Sequence, residues 1–578
     1  MKTNYANSNI KESFLAILPS QIFSFITSSL SGIVNGLVIG NYLTNLDMIA
    51  LGFVSPVVQI ISVFSAVISS GARIVCGRFI GRGEKEKIND AFTTAINSLV
   101  VIGLLLTFIG LLFAKQIALI ISNEDALSNT ILYIRGISIG IIPTIIVPCL
   151  MVFLQMKNHT TYALVSTVLL AVINLILDLI GTNFIGVDIF GIGLITSISQ
   201  YLVMIFMIIK FITSKDLPRL KKGKTGLYKK IIIIGMPSAL ITLLYALRNS
   251  TINKLGASFG NDVVNALSIL NSSCGPFDAV NIGVARACLM LASIYIGERD
   301  KDSLKTLYKV TCKYGIILGF IKIVIIFVLR KNIALAYGAV GEAIDLTSSL
   351  YFAYSLTMPI NMVACSLMNI YQSFGKIKYC NILSILTAYI LPIGFAVIFK
   401  NLLGYYAIWY CYLVPEFIIL LIMYIYACYK KKRIINNLED VICIDSNFGK
   451  IDHLNMSIKT TEEVTMVSKK VQDFCLNKNL DKNKSMLAGL CLEEMSANIV
   501  EHGFTKSKKK NKTIDIFVSV DNDEVNIRIK DNAVPFDPHI KLNNDDITKN
   551  IGIRMVAKIA KDMNYQNTFG LNVLSITL

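Results

Sequence analysis

Apolar runs of about 20 residues, separated by short polar breaks, recur from near the start of the chain to about residue 430. That is the length a helix needs to cross a hydrocarbon layer about 30 Å thick. "LVVIGLLLTFIGLLF" (99–113) and "IKIVIIFVLR" (321–330) are typical pieces. The pattern predicts twelve spans, at about 13–40, 49–72, 91–113, 128–154, 161–181, 189–212, 231–253, 264–292, 306–329, 347–372, 379–399 and 404–429. The opening dozen residues lack the short apolar core and small-residue cleavage site of a signal peptide, so the first apolar stretch is expected to be the first span.

From about residue 434 the period changes. Residues 434–452 read as a linker. A strand is then expected at 453–459, an amphipathic helix at 461–478 and a further helix at about 482–502. Segments 512–520 and 524–532 alternate with period two around "DND", which predicts a hairpin. A helix at about 551–563 and a strand at 572–578 complete an α/β sandwich of about 125 residues, large enough to fold alone. The expected fold is a polytopic α-helical membrane protein of two six-helix bundles, residues 1–215 and 216–433, followed by the linker and a domain at 453–578.

Charge orients the spans. Of the 578 residues 54% are hydrophobic and 16% charged, against about 25% charged in soluble domains. "GRFIGRGEKEK" (77–87), "KDLPRLKKGKTGLYKK" (215–230), "GERDKDSLK" (297–305), "GKIK" (375–378) and "KKKR" (430–433) all fall on the side of the N-terminus. Excess Lys and Arg marks the cytoplasmic face, so both ends of the membrane part and the C-terminal domain are expected in the cytoplasm of a multi-pass cell-membrane protein. This bias explains most of the net charge of +17, and no nucleic acid is expected as partner. The twelve cysteines are scattered and only four His occur, which suggests neither a disulfide frame nor a zinc site.

The membrane part carries a repeat. "GARIVCGRFIGRGEKEKINDAF" (71–92) follows the second span, and "ARACLMLASIYIGERDKDSLKTLY" (285–308) follows the eighth with the same I-G turn, charged loop and return. "FLQMKNHTTYALVSTVL" (153–169) is echoed by "IYQSFGKIKYCNILSIL" (370–386). Two parallel six-helix units suggest a transporter that rocks one half against the other. Segments 32–87, 133–143 and 173–200 resemble the multidrug and toxic compound extrusion (MATE) family, a likeness covering most of residues 1–430. The resemblance implies an antiporter that exports organic cations or other amphiphiles, its small-molecule substrate, across the lipid membrane against an H⁺ or Na⁺ gradient.

Asp178 lies in the fifth expected span, four residues after Asn174 and so on the same helix face. A carboxylate at that depth costs a few kcal/mol, so it should face a cavity or a partner rather than lipid. Burial also lets a carboxylate trade protons at cellular pH. In the family an Asn and an Asp at this spacing belong to the cation-coupling site, which the resemblance carries to Asn174 and Asp178. Asn35, in "SGIVNGLVIG", stands where many relatives have an Asp and is the third candidate. Arg135, Arg248 and Glu416 are further charges within spans, and Trp409 is expected as an interfacial anchor.

In the C-terminal part, "CLEEMSANIVEHGF" (491–504) sets Glu494, Asn498 and His502 four residues apart, a polar stripe along one face of a helix. With "IKDNAVPFDP" (529–538) and "NIGIRMVAKIAKDMNYQNTFGLNVLSITL" (550–578) it resembles the GHKL ATPase fold, nearest the anti-sigma-factor serine kinases. The resemblance implies ATP and Mg²⁺ as cofactors, Asn498 as Mg²⁺ ligand, Glu494 as catalytic general base, and Asp531 as acceptor for the adenine amino group. It also implies phosphate at the helix start around Gly552 and Ile553, and a STAS-like or other cytosolic protein as partner. The chemistry fits, because an amide oxygen suits Mg²⁺ and a carboxylate one turn away can take an acceptor's proton. Two positions depart from the family: Ala533 and Asn550 replace glycines, where a side chain would be strained if φ were positive.

The leading expectation is thus a MATE-type efflux antiporter with a cytosolic ATP-binding regulatory or serine/threonine kinase-like domain. Two alternatives stand beside it: a membrane-anchored Ser/Thr kinase using the membrane part as sensor, and a lipid-linked sugar flippase with an Arg/Lys-lined cavity. Histidine kinase chemistry is disfavoured, because His453 alone lies between 433 and 493, at a strand start.

Overall fold

The computed structural model describes residues 6–221, 226–445, 448, 453–507, 511–521, 523–542, 551–568 and 570–578. The first bundle comprises α1 (Ala6–Tyr42), α2 (Asn45–Arg82), α3 (Lys85–Leu112), α4 (Ala114–Ile121), α5 (Leu127–Ile139), α6 (Ile141–Met156), α7 (Thr160–Ile180) and α8 (Ile189–Thr213). The second comprises α9 (Tyr228–Ala257), α10 (Asn261–Ser273), α11 (Gly275–Gly297), α12 (Lys301–Ala336), α13 (Glu342–Ser373), α14 (Ile377–Ile385), α15 (Leu391–Leu403), α16 (Tyr406–Tyr410) and α17 (Leu413–Lys431).

Among the described residues ten helices are long and apolar enough to cross a membrane, and α5 with α6 makes an eleventh. Helix α1, 37 residues long, runs where the first span is expected. Two spans expected to be continuous are broken. The fourth bends by 45° between α5 and α6, because Pro143 has no N–H to extend the ladder of α5. The eighth breaks at Cys274, where Pro276 opens the first turn of α11.

Apolar packing divides the bundles by level. One core joins both halves, bringing Ile74, Phe79 and Phe92 together with Leu291, Leu307 and Tyr371. At the opposite end each half has a core of its own: Val38, Val54, Ile134 and Ile192 in the first, Ile252, Leu267, Tyr351 and Trp409 in the second. The bundles are therefore closed together at one end and separately packed at the other. The closed end is sealed by the two repeat glycines. A Cβ on Gly81 would lie 2.1 Å from the Ile294 carbonyl oxygen, and one on Gly297 would lie 2.3 Å from that of Arg78. These contacts are reciprocal, as a pseudo-two-fold axis requires, and small residues are what let helix backbones approach so closely.

Residues of the expected linker pack onto this closed end rather than hanging free. Ile435, Ile442, Cys443 and Ile444 are buried in the joint core. The Tyr371 hydroxyl donates to the Val441 carbonyl at 2.5 Å, and Lys376 Nζ donates to that of Cys443 at 2.7 Å.

The C-terminal domain is a five-stranded antiparallel sheet in the order β1-β2-β3-β5-β4. The strands are β1 (His453–Ile458), β2 (Ile514–Asp521), β3 (Glu524–Asp531), β4 (Asp562–Thr568) and β5 (Leu571–Thr577). On one face lie α18 (Thr461–Asn477), α19 (Lys482–Asn498) and α22 (Ile551–Ile559), with short α20 (Phe504–Lys506) and α21 (Pro538–Leu542) at the edges. Val467, Val471, Leu492, Ile516, Ile527, Ile529 and Val556 form its core. The helix expected at 551–563 ends at Ile559. "DMNYQNT" is instead β4, whose alternation and pairing with β5 override the helical reading.

Candidate functional site

Two polar sites lie inside the bundles. In the first, α7 buries both Asn174 and Asp178. Asn174 Nδ2 donates to Asp178 Oδ2 at 2.5 Å, while Asp178 Oδ1 has no hydrogen-bond partner among the described residues. Immediately beyond Asp178 the helix widens into a π turn, Gly181–Ile185, a distortion common at functional positions. The structure thus brings two of the three expected coupling residues together. The third, Asn35, lies within α1, but its side chain is outside the described residues.

The second bundle holds a polar chain that sequence spacing did not reveal. Lys322 Nζ of α12 donates to Asn281 Oδ1 of α11 at 2.6 Å. Asn281 Nδ2 donates to Asn361 Oδ1 of α13 at 3.1 Å, and Asn361 Nδ2 donates to Glu416 Oε1 of α17 at 2.7 Å. Four helices supply one residue each, so the group exists only in the fold. Arg248 is engaged nearby, its guanidinium 4.5 Å and 4.8 Å from the Tyr245 and Tyr412 ring centroids. Arg135 is exposed. Trp409 corrects its expectation: it is fully buried, with Nε1 donating to Ser349 Oγ at 2.8 Å, and is no interfacial anchor.

The C-terminal site is built from α19, the end of β3 and the start of α22. Asn498 Nδ2 donates to the Glu494 carbonyl at 2.8 Å, which leaves its Oδ1 as the atom to meet a cation. The polar stripe stops there. Residues Ile499–Gly503 form a π turn, which adds a residue to the turn and takes His502 off the face; His502 is exposed. Asp531 is buried at the end of β3, where its Oδ1 accepts from Ala533 N at 2.9 Å and from Asn572 Nδ2 at 2.8 Å. Tyr565 braces this corner, donating to Asn572 Oδ1 at 2.7 Å and accepting from Phe536 N at 3.1 Å. Burial pushes its phenol up to about 12, so it acts as a neutral donor.

Gly552 is required by contact: a Cβ there would lie 2.0 Å from Glu494 Oε2. The Glu494 carboxylate therefore sits against the first turn of α22, the place where backbone N–H groups favour an anion. Ile553, beside it, is buried in the core and contributes backbone alone to that turn. Ala533 raises no strain, because it is absent from the non-glycine residues with positive φ. Asn550 lies outside the described residues.

Residues 21–180 and 237–398 match the MatE family model, together more than half of the chain. The chain belongs to the MatE family. Its two matched stretches fall one in each bundle, as the repeat requires. Residues 459–578 match the Histidine kinase-like ATPase domain, so this MATE protein carries that domain at its C-terminal end. Multidrug export protein MepA of Staphylococcus haemolyticus is 22% identical over 406 residues, which cover 69% of this chain and 89% of that protein. Probable multidrug resistance protein YoeA of Bacillus subtilis is 21% identical over 437 residues, 72% and 93% of the two chains. Among solved structures, the outward-facing conformation of a multidrug resistance MATE family transporter of the MOP superfamily superposes with a TM-score of 0.67 at 17% identity, covering 72% of this chain and 94% of that one. The fold and the multi-pass membrane character follow from these likenesses.

Proposed function

We propose that this MATE protein is a secondary multidrug efflux antiporter, driven by H⁺ or Na⁺, whose C-terminal domain binds Mg·ATP and regulates transport from the cytoplasm. The observation that carries the transport reading is the buried Asn174–Asp178 pair, with one carboxylate oxygen unpartnered among the described residues. An acid so placed is stable when it holds a proton or a cation and costly when bare, which couples ion occupancy to the rocking of the halves. Export of organic cations is inferred from what the multidrug relatives are named for. Separate cores at the end away from the C-terminal domain support an outward-open form of the carrier.

For the ATPase domain, Asp531 would read adenine and Asn498 Oδ1 would hold Mg²⁺. When bound, the metal would neutralise phosphate charge. Glu494, one helical turn from Asn498, is the general base if a protein hydroxyl is the acceptor.

The test is dye export by the full chain in proteoliposomes under an imposed H⁺ or Na⁺ gradient. Asp178→Asn is expected to abolish gradient-driven export while leaving thermal unfolding unchanged; normal export would remove Asp178 from the mechanism. Calorimetry of the full chain with Mg·ATP should show binding that Asp531→Ala removes.

A further inference from the structure

The two faces of β3 serve different masters. Ile527, Ile529 and Asp531 point into the domain, toward its core and the nucleotide site, and are buried. Arg528, Lys530 and the following Asn532 take the opposite face by strand alternation, and that face lies on the closed end of the transporter. Lys530 Nζ donates to Glu298 Oε2 at 2.5 Å, with Arg528 3.8 Å from the same oxygen; Glu298, in the turn after α11, is nearly fully buried. Asn532 Nδ2 donates to Glu12 Oε2 of α1 at 3.1 Å. Farther along the sheet, Asn564 Nδ2 donates to the Gly83 carbonyl at the end of α2 at 2.5 Å. Asp515, bonded by Asn9 Nδ2 at 2.7 Å, is held above the ordinary carboxylate range by burial under this contact.

Glu12 and Gly83 belong to the first bundle and Glu298 to the second. One rigid sheet thus bonds both bundles, directly over the reciprocal Gly81 and Gly297 contacts that shut this end. We propose that the outer face of the sheet is a clamp that holds the closed end of the transporter shut, and that β3 ties the clamp to the nucleotide bound at Asp531. The proposal rests on the antiporter and nucleotide readings above. Its physical basis is differential bonding: the sheet bonds both bundles while their ends touch and only one once they part, so docking stabilises the closed end. Because Asp531 and Asn532 are neighbours, the dock also fixes the turn that reads adenine. By reciprocity Mg·ATP then tightens the dock.

The test uses the full chain in lipid nanodiscs and proteoliposomes. Glu298→Lys should raise hydrogen exchange in segments 77–87 and 524–533 and raise dye export by about fivefold, a typical coupling between sites. The same variant should weaken Mg·ATP binding by a similar factor. The swap E298K/R528E/K530E should restore protection, export and ATP affinity together. Glu12→Ala, on the other bundle, should act in the same direction and serves if E298K does not fold. Mg·ATP should lower exchange in both segments of the native chain. Unchanged exchange in both variants, or export that falls and is not recovered by the swap, would overturn the clamp. Export absent from every form while exchange responds as stated sinks the antiporter reading and leaves the dock standing. Export freed by E298K in a chain that binds no Mg·ATP removes the link through β3.

Discussion

The two bundles share one plan, and each buries a carboxylate bonded by one asparagine, but they differ in how far that bonding extends. In the first, a carboxylate and an amide sit one turn apart on a single helix, Asn174 donating to Asp178. In the second, the Glu416 carboxylate is joined through Asn361 and Asn281 to the Lys322 ammonium, one residue from each of four helices. Each carboxylate accepts from one asparagine and leaves its other oxygen, Asp178 Oδ1 or Glu416 Oε2, without a hydrogen-bond partner among the described residues, so what differs is the scaffold behind the bond. The difference teaches how locally each half holds its acid. The pair in α7 is held by one helix alone, and the chain in the second bundle holds α11, α12, α13 and α17 in register.

The sharpest way to break this contrast is to remove one end of the second chain. Glu416→Leu leaves Asn361 Nδ2 buried without its acceptor and should cost about 1–3 kcal/mol, as an unsatisfied buried donor does. Lys322→Met should cost as much, and the double variant less than the sum; detergent-solubilised thermal unfolding measures all three. Asp178→Asn should leave the unfolding temperature unchanged or raise it. Equal losses at Asp178 and Glu416 would mean the bundles do not differ as described.

A comparable effect sharpens the symmetry beneath the contrast. Gly81→Ala and Gly297→Ala place a methyl group against a backbone carbonyl at 2.1 Å and 2.3 Å. Each should cost the closed end about 1–3 kcal/mol, the range for overpacking. Because the contacts are reciprocal the two variants should match within error, read as increased labelling at the end bearing the ATPase domain. Smallest is Ser349→Ala, which keeps the Trp409 indole in the second-bundle core and removes the acceptor of its bond, about 0.5–1.5 kcal/mol; an interfacial anchor would lose nothing by it.

How much was legible follows from where each signal is stored. Asn174 and Asp178 were readable because i and i+4 on a helix are neighbours whatever the fold. Glu494 and Asn498 were readable for the same reason. His502 was not, because the π turn at Ile499–Gly503 changes the period within the stretch that spacing assumes to be regular. Trp409 was misread because amphipathic rings at span ends serve equally at a lipid surface or in a core, and only packing against Ser349 decides. The helix expected through Lys561 and Met563 yielded to β4 because a strand's preference lies in its partner, here β5.

Sequence by itself determined the number and length of the spans, the two-fold repeat, the change to a soluble α/β domain and the local carboxylate–amide pairs. All of these are written in periods of a few residues or in apolar runs matched to a bilayer. Tertiary structure alone decided that Lys322 and Glu416 belong to one polar chain, that the bundles are sealed by two facing glycines, and that β3 bonds the bundles with one face and packs the domain core with the other. Those facts depend on contacts between residues tens to hundreds of positions apart, such as Glu12 with Asn532. Local periodicity carries no information on such distances; only the packing of the whole chain supplies it.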